Sequence, residues 1–169
     1  MKAKRSANLQ EPAFELALRI RHPSMDPAQL SRELGFEATH SFRAGQPRPP
    51  VGDALAASVY GESYWLGSID QTSWLSDAWL SGFGNIEAAV QKLGRAAAWK
   101  NLGSVLAMIT RGLVRTHTPL FERIRAEGGQ VSLLVQLSPL AVDGFSLTPE
   151  VSRQFGDLGI TIEFEMTSD

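Results

Sequence analysis

The chain has 169 residues, 43% of them hydrophobic, a net charge of −2 at neutral pH and no cysteine. This length and composition are typical of one folded domain with a sizeable core, and they argue against a disordered chain. The lack of cysteine excludes disulfides, thiolate metal ligands and cysteine nucleophiles, and it fits a reducing cytoplasm. No stretch approaches the roughly 20 apolar residues of a membrane span, and no apolar run follows the basic N-terminus as in a secretory signal.

The first predicted elements form a strand, a short helix and a second strand. Residues 14–20 alternate apolar and polar side chains, as a strand with one buried face does. Asp26 and Pro27 then begin a helix, because the carboxylate accepts from free N–H groups of the first turn and proline needs no N–H there. Gly35 suits the left-handed residue that ends this helix, and the second strand follows over 36–42.

The middle of the chain is predicted to be mostly helical. A loop rich in proline and glycine at 46–52 leads into an extended aromatic segment at 59–69. Apolar residues then recur at helical spacing through an insertion at about 72–127, which predicts two or three helices. The last of these is expected to begin at Thr118 and Pro119, a capping residue followed by a proline.

The C-terminal part repeats the pattern of the first. A strand at 131–137 precedes the capping pair Thr148 and Pro149, and Gly159 ends the helix before a strand at 160–164. The repetition leaves open an ancient duplication and two independent uses of common helix-boundary chemistry.

Together these elements predict an α+β protein. We expect about five strands in a mixed sheet that contains a ferredoxin-like βαββαβ unit with a C-terminal αβ addition. Right-handed crossovers would place the helices mainly on one face. Residues 1–12 are predicted to form a flexible N-terminal tail, and residues 13–169 a single domain that includes the helical insertion.

No motif for catalysis, metal binding or cofactor binding is evident. His22, His40 and His117 are too far apart for the spacing of zinc ligands. The glycines at 82 and 84 lack the remaining residues of a dinucleotide or P-loop fingerprint, and no nucleophile elbow is present. The sequence therefore predicts no metal and no cofactor, and it assigns no catalytic residue, although a triad assembled from distant segments stays open.

An aromatic cluster is the first candidate binding site. It includes Tyr64, Trp65, Trp74 and Trp79. Such side chains suit a binding hot spot or a ligand pocket. They also suit a core, which is the interpretation we prefer, with binding as the alternative.

A run of basic residues is the second candidate. The segment 92–125 carries seven bases against one acid, Glu122. Arg111 and Arg115 are four residues apart and can share a helix face. The bases could bind an acidic partner or a nucleic-acid backbone, but the negative overall charge favours an ordinary solvated helix face.

The order of these landmarks resembles a bacterial family known as domain of unknown function 4279. The resemblance covers most of residues 14–165 except the helical middle, which is longer than expected of the family. It rests on Asp26-Pro27, Leu34-Gly35, Gly45, Tyr64-Trp65-Leu66-Gly67-Ser68, the strand at 131–137 and Leu158-Gly159-Ile160. It implies an α+β fold and no established activity, so it supplies no site residues.

Three interpretations of function follow from the sequence. The first is a non-catalytic cytoplasmic protein that binds a partner other than a membrane, through a sheet edge or its helical layer. The second is an enzyme whose site assembles from scattered residues such as Arg43, Tyr64, Asp70 and His117. The third is a nucleic-acid-associated protein that uses the basic helices at 92–125, against which the net charge argues. A protein partner and a homo-oligomer both stay open.

Overall fold

The structure is a computed structural model that describes residues 14–49, 58–69, 102–110, 112, 115–137 and 146–166. The predicted tail and most of the predicted helical insertion therefore lie outside the described residues. The elements, in chain order, are β1 (Phe14–His22), α1 (Pro27–Leu34), β2 (His40–Phe42), β3 (Ser63–Ser68), α2 (Leu102–Ile109), α3 (Arg115–Ala126), β4 (Gln130–Leu137), α4 (Pro149–Asp157) and β5 (Ile160–Met166).

The five strands form one mixed sheet in the order β2-β3-β1-β4-β5. Strand β1 runs antiparallel to β3 and β4, β2 runs antiparallel to β3, and β4 runs parallel to β5. Helices combined with a five-stranded mixed sheet confirm the α+β class. The order and directions agree with a βαββαβ unit followed by an αβ addition, while its assignment as ferredoxin-like stays a prediction.

Each face of the sheet has its own chemistry, because side chains alternate along every strand. On β1, Leu18 and Ile20 are buried, and the register places Ile20 beside Trp65 and Val131. We call this side the core face. The opposite side, the second face, carries Arg19 and Arg21 from the same strand.

The described helices pack on the core face. Their apolar side chains join the core-face strands in one hydrophobic cluster, to which the helices contribute Leu30, Leu34, Leu102, Val105, Leu106, Ile109, Leu120, Phe121, Ile124, Val151 and Phe155. None of the helices in the described ranges is long and apolar enough to cross a bilayer.

The predicted helix boundaries of α1 and α4 are confirmed. Asp26 Oδ1 accepts from the Ala28 N–H at 3.0 Å, and Thr148 Oγ1 accepts from the Val151 N–H at 3.4 Å. Gly35 follows α1 with φ of +79°, and Gly159 follows α4 with φ of +59°. Both angles lie in the left-handed region that favours glycine.

Two predicted boundaries are wrong. Strand β2 begins at His40 instead of residue 36, and Phe36 instead packs edge-on against Trp65 with ring centroids 5.1 Å apart. Helix α3 begins at Arg115, so Pro119 lies inside it instead of at its start. A proline at this position cannot donate to the carbonyl of Arg115, so this bond is missing from the first turns of the helix.

Candidate functional site

The hairpin between β2 and β3 brings distant aromatic residues together on the second face. The strand register places Phe42 opposite Tyr64. Beyond the strands, the Gly45 N–H donates to the Tyr60 carbonyl at 2.8 Å, and the Tyr60 N–H donates to the Gln46 carbonyl at 3.0 Å. These bonds continue the pairing of the two segments beyond β2 and β3, and they hold Tyr60 beside Phe42.

Three of these rings form a parallel stack, which we call the aromatic column. The centroid of Phe42 lies 3.7 Å from that of Tyr60 and 5.0 Å from that of Tyr64, with planes within 14° and 11° of parallel. His40 lies edge-on to Phe42 and Tyr64, and the guanidinium of Arg48 lies 5.2 Å from the Tyr60 centroid. All three residues of the column are half-buried, so part of each remains accessible from solvent.

A polar cavity lies further along the same face. It has a volume of about 380 Å³ and is lined by Arg19, Arg21, Gln130, Ser132 and Glu163. We call it the Arg21 cavity. Its lining comes from β1, β4 and β5, three neighbouring strands of the sheet.

The charges of this cavity are unequally paired. Arg19 is bound to Glu163, which also accepts from the Ser132 hydroxyl. The hydrogen bond from Arg19, followed by that from Ser132, holds the pKa of Glu163 below its usual value against the opposing effect of burial. The nearest carboxylate to Arg21 is that of Glu62, 4.0 Å from Nε, and the Arg21 side chain is 45% exposed. Arg21 is therefore the least neutralised cation of the cavity.

His22, at the end of β1, has a structural role. Its side chain is 3% exposed, and Nδ1 accepts from the N–H groups of Ser24 and Met25 at 3.1 and 2.8 Å. These bonds shape the turn into α1. Nε2 lies 3.1 Å from a carboxylate oxygen of Glu127.

The predicted aromatic cluster divides between the two faces. Tyr64 belongs to the aromatic column, but the next residue, Trp65, is 0% exposed in the core. The Trp65 indole N–H donates to Ser31 Oγ at 3.0 Å. Because its observed contacts are those of a core residue, Trp65 cannot share one accessible patch with Tyr64. Trp74 and Trp79 lie outside the described residues.

The basic candidates are described only in part. Arg111 lies outside the described residues. Arg115 is the first residue of α3, and the structure does not describe its side chain. Their role in binding stays a prediction.

The structure describes three of the scattered residues of the enzyme hypothesis, each in different surroundings. Arg43 Nη1 lies 4.0 Å from Asp26 Oδ2 at the start of α1, whereas Tyr64 lies on the second face. His117 lies on α3, half-buried near the core ring of Phe121. Burial lowers the pKa of His117, and the charge of Glu33 opposes this effect in part. Asp70 lies outside the described residues.

Two further findings limit the chemistry that can be assigned. Within the part of the chain that the structure describes, no group of three or more histidine, aspartate or glutamate side chains could hold a metal ion. Comparisons with protein-family models, curated proteins and solved structures gave no match. The resemblance to domain of unknown function 4279 therefore stays a prediction.

Sequence reasoning missed the two constellations on the second face. It singled out Tyr64 but not Phe42, which reaches Tyr60 only through the hairpin. It also missed Arg19 and Glu163, which lie 144 residues apart. The polar positions of the alternating β1 pattern were the available signal, since they place arginines opposite the core.

Proposed function

We propose that this protein is a non-catalytic cytoplasmic module that binds a partner protein, and that the aromatic column is its docking surface. The observation that supports this most is the parallel stacking of Tyr60, Phe42 and Tyr64 on the second face. Tyrosine and arginine are enriched among the residues that dominate binding energy in protein interfaces.

The stacking also lowers the cost of binding. A free aromatic side chain loses rotamer freedom when a partner immobilises it. In the column, each ring is already held by its neighbour, and Tyr60 is held further by Arg48. A partner that contacts the exposed ring edges therefore meets a surface ordered in advance.

The surrounding charges favour an acidic partner segment. Arg21 is the cross-strand partner of Tyr64, and Arg48 lies beside Tyr60. Glu62 is the carboxylate nearest to Arg21, at 4.0 Å. Such an exposed pair contributes at most about 1 kcal/mol, so a carboxylate of the partner can replace Glu62. We infer a partner with apolar or aromatic side chains for the ring edges and acidic residues for the arginines.

The same geometry argues against single-stranded nucleic acid. Bases bind aromatic residues by stacking on free ring faces. Phe42 is stacked against both tyrosines, and Arg48 lies over Tyr60. Stacking of the rings on one another leaves less ring surface on which bases could stack.

The proposal can be tested with a random peptide library displayed on phage. We expect selection on the intact protein to enrich acidic peptides that contain aromatic or large aliphatic residues. Tyr60→Ala should lower the affinity for the enriched peptides by about fivefold or more, which corresponds to a loss of about 1 kcal/mol in binding free energy. Glu165→Gln, an exposed change on β5, is the matched control and should leave affinity unchanged.

Circular dichroism and thermal unfolding would establish that each variant is folded. If the enriched peptides contained no excess of acidic residues, the proposed chemistry of the partner would be contradicted. Equal affinity of the enriched peptides for the native protein and for Tyr60→Ala would remove the column as the docking surface.

A further inference from the structure

We infer that the Arg21 cavity binds a small molecule that carries a single carboxylate. The cavity shares Arg21 with the charged margin of the proposed docking surface, but the inference does not depend on a protein partner. It is based on the lining of the cavity, the pairing of its charges and its size.

The first step concerns charge. Arg19 and Glu163 neutralise each other across β4, on which Ser132 donates to the same carboxylate. Arg21 then leaves the lining with a surplus of one positive charge, because Glu62 lies 4.0 Å away, at the outer distance limit of an ion pair. A ligand with one negative charge would balance the cavity.

The second step concerns the donors. Arg21 on β1 and Gln130 on β4 are cross-strand partners on the second face, so their side chains stand side by side. A guanidinium can bind both oxygens of a carboxylate, and the amide N–H₂ of Gln130 can donate to one of them. Both donors are exposed to solvent, so the ligand does not have to break a buried bond to reach them.

The third step concerns size and the choice between oxyanions. Because a water molecule takes up about 30 Å³ of liquid, a cavity of about 380 Å³ has room for about a dozen non-hydrogen atoms. A phosphate dianion would carry a second negative charge towards Glu163, whose carboxylate lines the same cavity. The geometry therefore favours a monocarboxylate over phosphate.

The test uses the full chain and three probes, benzoate, propionate and inorganic phosphate, followed by NMR titration of the backbone amides. We expect the two carboxylates to shift the amides of Arg21, Gln130 and Ser132 and to bind more tightly than phosphate. Failure of both carboxylates to bind there would overturn the inference. Tighter binding of phosphate would overturn the choice of carboxylate.

Variants make the test specific to this cavity. Arg21→Gln should lower the affinity for benzoate roughly tenfold. Arg21→Lys should lower this affinity less, because lysine keeps the charge but loses the bidentate geometry. Glu163→Gln should bind benzoate more tightly, because it frees Arg19 and removes a negative charge from the lining. These opposite effects distinguish a built site from general loss of structure.

The matched control is Arg153→Gln, which removes an exposed arginine from α4. It should leave the benzoate affinity unchanged. An equal loss in Arg153→Gln and Arg21→Gln would mean that benzoate responds only to net charge. Weaker binding by Glu163→Gln would likewise contradict the assigned pairing of Arg19.

Discussion

The bond between Trp65 and Ser31 gives the sharpest test of how this core is held together. The indole N–H donates to Ser31 Oγ at 3.0 Å, with Trp65 fully buried and Ser31 7% exposed. Ser31→Ala would leave a buried donor without its acceptor, which costs about 1–3 kcal/mol. The better helix propensity of alanine returns roughly 0.5 kcal/mol, because Ser31 lies within α1. We therefore expect a net destabilisation of about 0.5–2.5 kcal/mol.

Urea unfolding followed by tryptophan fluorescence and circular dichroism measures this change. The control is Ser152→Ala, an exposed serine inside α4, where the propensity effect should act alone and raise the free energy of unfolding slightly. In a Trp65→Phe background the donor is gone, so Ser31→Ala should cost much less than in the native chain. An equal cost of Ser31→Ala in both backgrounds would refute the hydrogen-bond argument.

Two further predictions concern Gly159 and Glu163. Gly159→Ala should destabilise by about 1–2 kcal/mol, because φ is +59° and the new Cβ would meet the Arg125 side chain. Gly156→Ala, inside α4 with nothing within 4 Å of the new Cβ, should instead stabilise by up to about 1 kcal/mol; thermal unfolding that gives both changes the same sign would contradict this reasoning. The lowered pKa of Glu163 means that its carboxylate stabilises the fold above its unfolded pKa, and that this stabilisation is lost as the pH falls through the lower folded pKa. Urea unfolding between about pH 6 and 3 should therefore show a shallower loss of stability in Glu163→Gln than in the native chain, and equal slopes of the two curves would contradict this role of the carboxylate.

Local chemistry made much of the fold predictable. The caps at Asp26 and Thr148 act within a few residues, so the sequence alone locates the starts of α1 and α4. The alternation along β1 likewise separates the core face from the second face before any partner strand is known. Each of these features depends only on neighbours along the chain.

The wrong boundaries have tertiary causes. Phe36 is an apolar residue that would suit a strand, but packing against Trp65 takes it out of β2. Helix α3 extends one turn before Pro119, and proline preference alone could not reveal that extension. In both cases a residue's local preference yields to its surroundings in the fold.

The candidate sites could not be predicted because they depend on register. The column needs Phe42 opposite Tyr64, and the Arg21 cavity needs β5 beside β4 so that Glu163 reaches Arg19. A shift of one residue in either pairing would turn these side chains to the other face. No pattern within a single strand specifies that alignment.

The two outermost strands of the described sheet differ in a way that bears on self-association. Strand β2 spans only three residues, too few to template a long intermolecular ladder. Strand β5 is longer, but Glu163 and Glu165 alternate along it. Because Glu163 is already paired with Arg19, two copies joined along this border would bring mainly their Glu165 carboxylates together, and this repulsion disfavours extension of the sheet at β5.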